Sequence, residues 1–220
     1  KTTLLALTNN QESKYQKDLR EKKALKAALE KELSDYESTI KFLLDRASFP
    51  PRGTKVLSPP LDNIRITQYF GNTSFAKSGA YNGKGHNGAD FGTFVGTPVR
   101  SMLSGTIIGT GDTDLTCSGA SYGRWVLIRH NNGLSSLYAH LSIIRASEGQ
   151  VVKTGDVIGL SGGFPGATGA GYSTGPHLHV SVYASAGVKV DRLPSKTCGG
   201  RTFTLPLAAL NAYLDPMDYM

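Results

Sequence analysis

The chain has 220 residues, a formal net charge of +7 and 39% hydrophobic residues, which is typical of a globular domain with or without an extension. No run of 18 apolar residues occurs, so the sequence predicts no transmembrane helix. The positive charge favours polyanionic partners such as an anionic cell-wall polymer, with ordinary surface charge as the alternative. No stripe of basic and aromatic residues supports nucleic-acid binding. Because the chain begins at Lys1, an upstream signal peptide or membrane anchor stays open.

The first part of the chain predicts a long helix. Residues 11–46 contain no Gly or Pro and are rich in Lys, Glu, Leu and Ala. We predict that the helix stops before Phe49, because Pro50 and Pro51 disfavour helical geometry in the residues that precede them. Two series with a seven-residue period predict a coiled-coil-like seam, weakened by two lysines: Leu19, Lys26, Leu33 and Ile40, and Tyr15, Lys22, Leu29, Tyr36 and Leu43.

This helical arm, residues 1–48, would pack on a protein partner, on a second copy or on the downstream domain. The alternative is that it is the last helix of a longer segment. Residues 49–60 contain four prolines and predict a linker.

Residues 61–220, with a core over 64–183, predict a mainly β domain, an antiparallel β-sandwich or open barrel with long loops. A series of short β-branched or apolar runs separated by turn signals indicates this fold. The runs are 64–70, 98–108, 124–129, 134–138, 157–160 and 178–183. Residues 151–159 predict a tight turn between two strands.

Three long glycine-rich stretches, 71–85, 109–123 and 161–175, predict loops that either bind a ligand or are flexible without a binding role. The two cysteines, Cys117 and Cys198, form no C-x-x-C motif, so a cysteine zinc knuckle is not expected. We expect a disulfide between them if the protein is exported, and two free thiols otherwise.

Four of the five histidines lie in three short segments. His86 and Asp90 are four residues apart among glycines, which disfavour a helix. We therefore predict a strand or a bulged loop, in which positions i and i+4 also share a face. Taken alone, this pair is a weak metal signal.

His177 and His179 are two residues apart in a strand-like segment, so they face the same side and Leu178 faces the core. This H-x-H pattern is a metal signal, with a pair of edge-strand histidines as the alternative. His140 follows the apolar run 134–138. The fifth histidine, His130, ends a strand-like run, and we predict a structural hydrogen bond for it.

Residues 64–183 resemble the lysostaphin/LytM-type family of peptidoglycan zinc metallopeptidases. The blocks occur in the family's order: Gly85-His86-Asn87-Gly88-Ala89-Asp90-Phe91, Gly96-Thr97-Pro98-Val99 followed by Gly105, Tyr122-Gly123 through His130, Tyr138-Ala139-His140-Leu141, and Ser173-Thr174-Gly175-Pro176-His177-Leu178-His179. The resemblance implies a small antiparallel β-sandwich with a groove between loops. It also implies that the substrates are peptide stems or cross-bridges of peptidoglycan.

The resemblance further implies that His86, Asp90 and His179 bind one Zn²⁺ per chain. His140 and His177 would then be catalytic residues without metal contact. Two imidazoles and one carboxylate leave zinc an open position for water, and zinc lowers the pKa of such a water from about 15.7 to roughly 7. No Glu lies in these blocks, so a histidine is expected to act as the base, and the choice between the two stays open.

The sequence therefore predicts an exported zinc endopeptidase of the bacterial cell envelope, periplasmic or associated with the cell wall. One alternative is a non-catalytic, coiled-coil LytM-like activator of another wall hydrolase, and another is a general wall-binding module. The enzyme is favoured because the ligand set and both further histidines are complete. Loops 109–123 and 161–175 look longer than in minimal members of the family, which leaves the shape of the groove open.

Overall fold

The computed structural model describes the backbone of residues 2–78 and 80–220, and the side chains of residues 11–78, 81 and 83–220. The described residues form a long helix α1 (Thr2–Thr39), a one-turn helix α2 (Ser74–Lys77) and thirteen strands. The strands are β1 (Ile66–Gln68), β2 (Ala89–Gly92), β3 (Pro98–Arg100), β4 (Gly105–Asp112), β5 (Arg124–His130), β6 (Leu134–Ala139), β7 (Leu141–Ile144), β8 (Val151–Val152), β9 (Val157–Ser161), β10 (His177–Ala184), β11 (Val188–Pro194), β12 (Thr202–Ala208) and β13 (Tyr213–Leu214).

The largest sheet is antiparallel and open, in the order β1-β2-β10-β6-β5-β4-β8, with β13 also paired to β10. Strands β3, β9 and β7 form a second sheet, and β11 pairs with β12. The predicted mainly β, antiparallel fold preceded by a helix is therefore confirmed. The predicted turn is also confirmed, since residues 153–156 connect β8 to β9.

The glycine-rich stretch 109–123 was expected to be a loop, and this prediction is wrong at its start. Strand β4 continues to Asp112, where it pairs with the beginning of β5. The glycines make room for the indole ring of Trp125, because a Cβ on Gly111 would lie only 2.8–2.9 Å from that ring. Here glycine allows close packing in a strand and does not mark a turn. The stretch 71–85 likewise includes α2.

The large sheet is buried on both faces. In β5, Val126 and Ile128 point into one apolar cluster, while Trp125 and Leu127 point into another on the opposite face. This alternation follows from the two-residue period of a strand. In β10, Leu178 belongs to the first cluster as predicted, so the residues on either side of it face the opposite side of the sheet.

The second half of α1 packs on its own domain. Leu29 and Leu33 are each 6% exposed and belong to the second apolar cluster. The Glu32 carboxylate accepts hydrogen bonds from Ser195 Oγ and Lys196 N, both at 2.6 Å. Residues 11–25, in contrast, are exposed apart from the partly buried Leu19. Coiled-coil pairing with a partner stays a prediction.

The predicted bounds of the helix, 11–46, are wrong at both ends, since α1 begins at Thr2 and ends at Thr39. At the C-terminal end, the hydroxyls of Ser38 and Thr39 donate to main-chain carbonyls three residues earlier, at 2.6 and 2.7 Å. Such bonds compete with the helical ladder. Phe42 and Leu44 then pack against the first cluster.

The proline-rich segment also contacts the domain. Phe49 and Leu57 are buried in the first cluster, and the amides of Val56 and Leu57 donate to the Tyr219 carbonyl at 2.9 and 2.8 Å. The division of the chain into an arm, a linker and a catalytic domain stays a prediction.

Cys117 and Cys198 form the expected disulfide, with a Cα–Cα distance of 6.1 Å. It joins the loop that follows β4 to the turn between β11 and β12. Among the helices of the described residues, none combines the length and apolarity that crossing a bilayer requires.

We expect Leu29→Ala to lower the free energy of unfolding by about 2–4 kcal/mol, because it removes a buried side chain and leaves a cavity between α1 and the domain. Leu25→Ala, on the same helix at a position that is 40% exposed, is the matched control and should cost less than about 0.5 kcal/mol. Urea unfolding followed by tryptophan fluorescence measures both. Equal costs for the two variants would mean that α1 does not pack on the domain in solution.

Candidate metal centre and active site

Three potential metal ligands converge in the groove. His86 Nε2 lies 3.3 Å from Asp90 Oδ1, His179 Nδ1 lies 2.9 Å from the same oxygen, and the two ring nitrogens are 3.1 Å apart. All three residues are buried, and no other group of this kind occurs in the described part of the chain. The structure thus brings together the three residues predicted as ligands.

The strand register produces this convergence. β2 pairs with β10 so that Asp90 stands directly opposite His179. His86 precedes β2 and forms an isolated bridge with Gly71, in agreement with the expected strand or bulged loop. Gly88 lies between the two ligands of this segment, and a Cβ there would come within 2.7 Å of the His179 ring. The glycine therefore allows the ring to approach the backbone.

The donor set fits a zinc ion. Tetrahedral coordination with bonds of about 2.0–2.1 Å places ligand atoms about 3.4 Å apart. The three separations of 2.9, 3.1 and 3.3 Å need to widen by only a few tenths of an ångström. Three protein ligands leave a fourth position free, which is the arrangement of a catalytic zinc site rather than a structural one.

Hydrogen bonds to residues outside the cluster determine which ring nitrogen of His86 and of His179 faces the centre. His86 Nδ1 lies 3.0 Å from the Tyr69 carbonyl oxygen, which can only accept, so Nδ1 carries the proton and Nε2 faces the centre. His179 Nε2 lies 2.9 Å from Ser181 Oγ, which leaves Nδ1 for the centre. Partners of this kind orient metal ligands and fix their tautomers.

His140 and His177 lie beside the ligands, with their ring centroids 4.7 Å apart. His140 Nδ1 donates to the Ala170 carbonyl at 2.8 Å, and His177 Nδ1 donates to the Gly175 carbonyl at 2.6 Å. Each ring therefore keeps Nε2 free as a proton acceptor. His177 Nε2 is 3.6 Å from Asp90 Oδ1, which puts it next to the ligand cluster.

Burial and neighbouring groups set the charges at this centre. Burial lowers the pKa of His140 well below its ordinary value, and the nearby His177 and His179 lower it further. Burial alone would raise the pKa of Asp90, but its contacts with the His179 and His86 rings outweigh burial and hold that pKa well below its usual range. The site therefore presents a carboxylate and a neutral imidazole at neutral pH.

The site opens into a cavity of about 350 Å³, which α1 lines on one side. Glu30, Ser34 and Glu37 of the helix face the same cavity as the four histidines. The Lys84 ammonium donates to the Ser34 carbonyl at 2.8 Å and ties the helix to the segment before His86. The contact of the arm with the active-site groove was not predicted from the sequence.

The fifth histidine is structural, as predicted. His130 lies at the end of β5 that is remote from His140. Its ring is within hydrogen-bond distance of the Ser104 carbonyl, at 3.2 Å, and of Ser136 Oγ, at 2.8 Å. Burial lowers its pKa to about 4, so it is neutral at physiological pH.

Two kinds of supporting residue were not predicted from the sequence. Ser181 follows His179 by two positions, so the strand period alone could have placed its hydroxyl on the face of the ligands. Tyr81 stacks on His86 with ring centroids 5.2 Å apart, but it lies in a short 3-10 helix, Ala80–Gly83, which no sequence pattern predicted. Long-range contacts of this second kind carry no local sequence signal.

Part of the chain matches a known peptidase family. The model of peptidase family M23 matches residues 84–192, which include all five proposed site residues. The chain contains a peptidase family M23 domain. The predicted resemblance to lysostaphin/LytM-type metallopeptidases is therefore confirmed, and α1 and residues 193–220 lie outside the matched range.

The M23 domain has named relatives and solved neighbours. The chain is 39% identical over 94 residues to the peptidoglycan DD-endopeptidase ShyA of Vibrio cholerae. The aligned segment covers 43% of this chain and 19% of that protein. A zinc-containing peptidase from Vibrio cholerae is structurally similar, with a TM-score of 0.51 and 27% identity over 76% of this chain and 41% of that one.

The catalytic domain of lysostaphin, from Staphylococcus simulans, is also similar, with a TM-score of 0.50 and 29% identity over 71% of this chain and 91% of that one. The first curated relatives are much longer, and the chain spans about a fifth of their length.

The buried carboxyl group of Glu37, in α1, should make the stability of the domain depend on pH. Burial raises its pKa to about 7 from an ordinary value of 4.5, although hydrogen bonds from Tyr213 OH and Ala208 N oppose the rise. Between those two pH values the unfolded chain loses the proton first, so ionisation destabilises the folded state as the pH rises. Glu37→Gln keeps an acceptor oxygen and cannot ionise.

We expect the free energy of unfolding of Glu37→Gln, relative to wild type, to increase from about pH 4.5 to about pH 7 and to level off above it. Urea unfolding at a series of pH values measures the difference. Glu21→Gln, at an exposed position of the same helix, controls for the loss of a negative charge. A Glu37→Gln difference that does not change with pH would contradict the prediction.

Proposed function

We propose that this chain is a zinc-dependent endopeptidase that hydrolyses peptide stems or cross-links of peptidoglycan. The observation that carries the proposal is the convergence of His86 Nε2, Asp90 Oδ1 and His179 Nδ1 beside two further imidazoles in one cavity. One Zn²⁺ per chain would be held by these three atoms. When bound, zinc would supply an acidified water and polarise the carbonyl of the scissile bond.

His140 and His177 would handle the protons. Their Nδ1 protons are committed to carbonyl oxygens, so each Nε2 lone pair is available to accept a proton from the attacking water. Once protonated, Nε2–H becomes a donor that can stabilise the oxyanion or protonate the leaving amine. No glutamate is needed in this scheme. The pair together, and not one assigned member, carries this role in our proposal.

The substrate and compartment follow from chemistry and relatives. ShyA is named as a peptidoglycan DD-endopeptidase, and its similarity to the M23 domain supports peptidoglycan as the substrate. A disulfide between Cys117 and Cys198 suits an oxidising compartment, which supports export to the cell envelope, periplasmic or cell-wall associated. The exposed residues 11–25 of α1 would be available to a protein partner or to a second copy.

The alternative, a non-catalytic activator of another wall hydrolase, is less favoured. A protein that only binds has no use for three converging ligands, two free imidazole acceptors and fixed tautomers. An arm that contacts a partner is compatible with either function, so α1 does not decide between them.

Removing a proposed ligand should remove metal and activity together. We expect Asp90→Ala and His179→Ala to lose zinc and the release of soluble muropeptides, because two remaining ligands cannot hold the ion. His140→Ala and His177→Ala should keep zinc and lose about 10²- to 10⁴-fold in activity, the range for a removed acid–base group. Elemental analysis of the purified proteins and mass spectrometry of muropeptides measure the two effects.

Full activity in His179→Ala would rule out the proposed metal site. A wild-type protein that holds zinc but releases no fragments from peptidoglycan would favour the activator, or autoinhibition by the arm, residues 1–48, instead. The masses of the new muropeptide ends identify the bond that is cut.

A further inference from the structure

Two loops on one side of the groove are joined by one carboxylate, beside main-chain hydrogen bonds from Arg124 N to the Gly169 carbonyl at 2.8 Å and from Tyr172 N to the Ser121 carbonyl at 2.7 Å. Asp114 Oδ1 accepts a hydrogen bond from Gly119 N at 2.7 Å, and Oδ2 accepts from Gly169 N at 2.8 Å and from Gly171 N at 3.2 Å. The first bond closes the loop that follows β4, and the other two reach a loop more than 50 residues further along the chain. Backbone N–H groups bound by an ionised carboxylate are held more firmly than those bound by a neutral acceptor.

The peptide held in this way supports a histidine of the active site. Ala170 lies between the two glycines whose amides bind Asp114, and its carbonyl oxygen accepts the Nδ1 proton of His140 at 2.8 Å. Ala170 is 3% exposed and His140 is 6% exposed, so water has little access to replace this bond. The orientation of the imidazole therefore depends on where the 169–171 backbone lies.

His140 also has an unfavourable backbone conformation, with φ at +59°. A non-glycine residue adopts this region only when its surroundings hold it there. Its amide donates to the Tyr122 carbonyl at 2.9 Å, in the segment that precedes β5. Both hydrogen bonds that fix His140 thus come from the two loops that Asp114 connects.

We infer that Asp114 is a positioning residue for His140. Its carboxylate fixes the 169–171 backbone, the Ala170 carbonyl holds Nδ1–H, and Nε2 is left free toward the metal centre. Asp114 itself touches neither the ligands nor the reacting atoms in this assignment. The consequence for catalysis rests on the proposed function, whereas the consequence for the tautomer of His140 does not.

The test uses the full-length, zinc-loaded protein and the variants Asp114→Ala, Asp114→Asn and Asp114→Glu. We expect Asp114→Ala to keep zinc, to lose kcat by about 10- to 100-fold with a smaller change in KM, and to replace the single His140 tautomer by a mixture. Asp114→Asn keeps one acceptor oxygen and should lie between Asp114→Ala and wild type. Partial recovery of kcat in Asp114→Glu would show that the carboxylate itself is required.

The measurements are steady-state hydrolysis and ¹⁵N NMR of the imidazole nitrogens, assigned with His140→Ala. Asp156→Ala is the matched control, because its carboxylate also accepts a loop amide, from Lys153 at 2.8 Å, but in the turn before β9. We expect this control to leave both kcat and the His140 signals unchanged.

Asp114→Ala with a lower Tm but an unchanged His140 tautomer and kcat would overturn the inference and show that Asp114 only stabilises the loops. If Asp114→Ala does not fold, the same outcome in Asp114→Asn decides. A wild type inactive on peptidoglycan would count against the proposed function alone, because the tautomer measurement would still test the role of Asp114.

Discussion

The active-site geometry depends on the pairing of β2 with β10, which sets Asp90 directly opposite His179. The same strand alternation sends Leu178 and Val180 into the first apolar cluster and the two histidines to the other face. A slip of one residue would turn these histidines into the core and the leucine into the groove. The burial of the apolar residues therefore fixes the proposed metal ligands in place, and folding and site assembly share one register.

The four groove histidines are oriented by a second set of acceptors. Three of them donate Nδ1–H to main-chain carbonyls, at Tyr69, Ala170 and Gly175. The fourth, His179, is bound through Nε2 by the hydroxyl of Ser181. The site is thus determined largely by the path of the backbone, and its chemistry depends on loops as much as on the histidine blocks.

Some of this could be predicted from the sequence, and some could not. Strand spacing predicted that His86 and Asp90 share one face and that His177 and His179 share another, and alternation predicted the core face of β10. The convergence of the two pairs was implied only by the family resemblance, because short-range geometry does not relate segments about 90 residues apart. The end of α1 at Thr39 was missed, because the following residues have good helical propensity but Phe42 and Leu44 pack against the first cluster, a contact that the local sequence does not encode. The hydrogen bonds of Asp114 to the two loops and the contribution of α1 to the groove could not be predicted from the sequence, because both join segments far apart in sequence.

The double role of α1 has a consequence for access to the groove. The helix contributes Leu29 and Leu33 to the second apolar cluster and Glu37 to the wall of the cavity. Moving it away to admit a bulky polymer would expose both leucines to water, at roughly 1.5–3 kcal/mol each. The width of the entrance is therefore coupled to the folding free energy of the whole domain. The binding free energy of a ligand that widens the entrance has to offset the stabilisation lost when the two leucines are exposed.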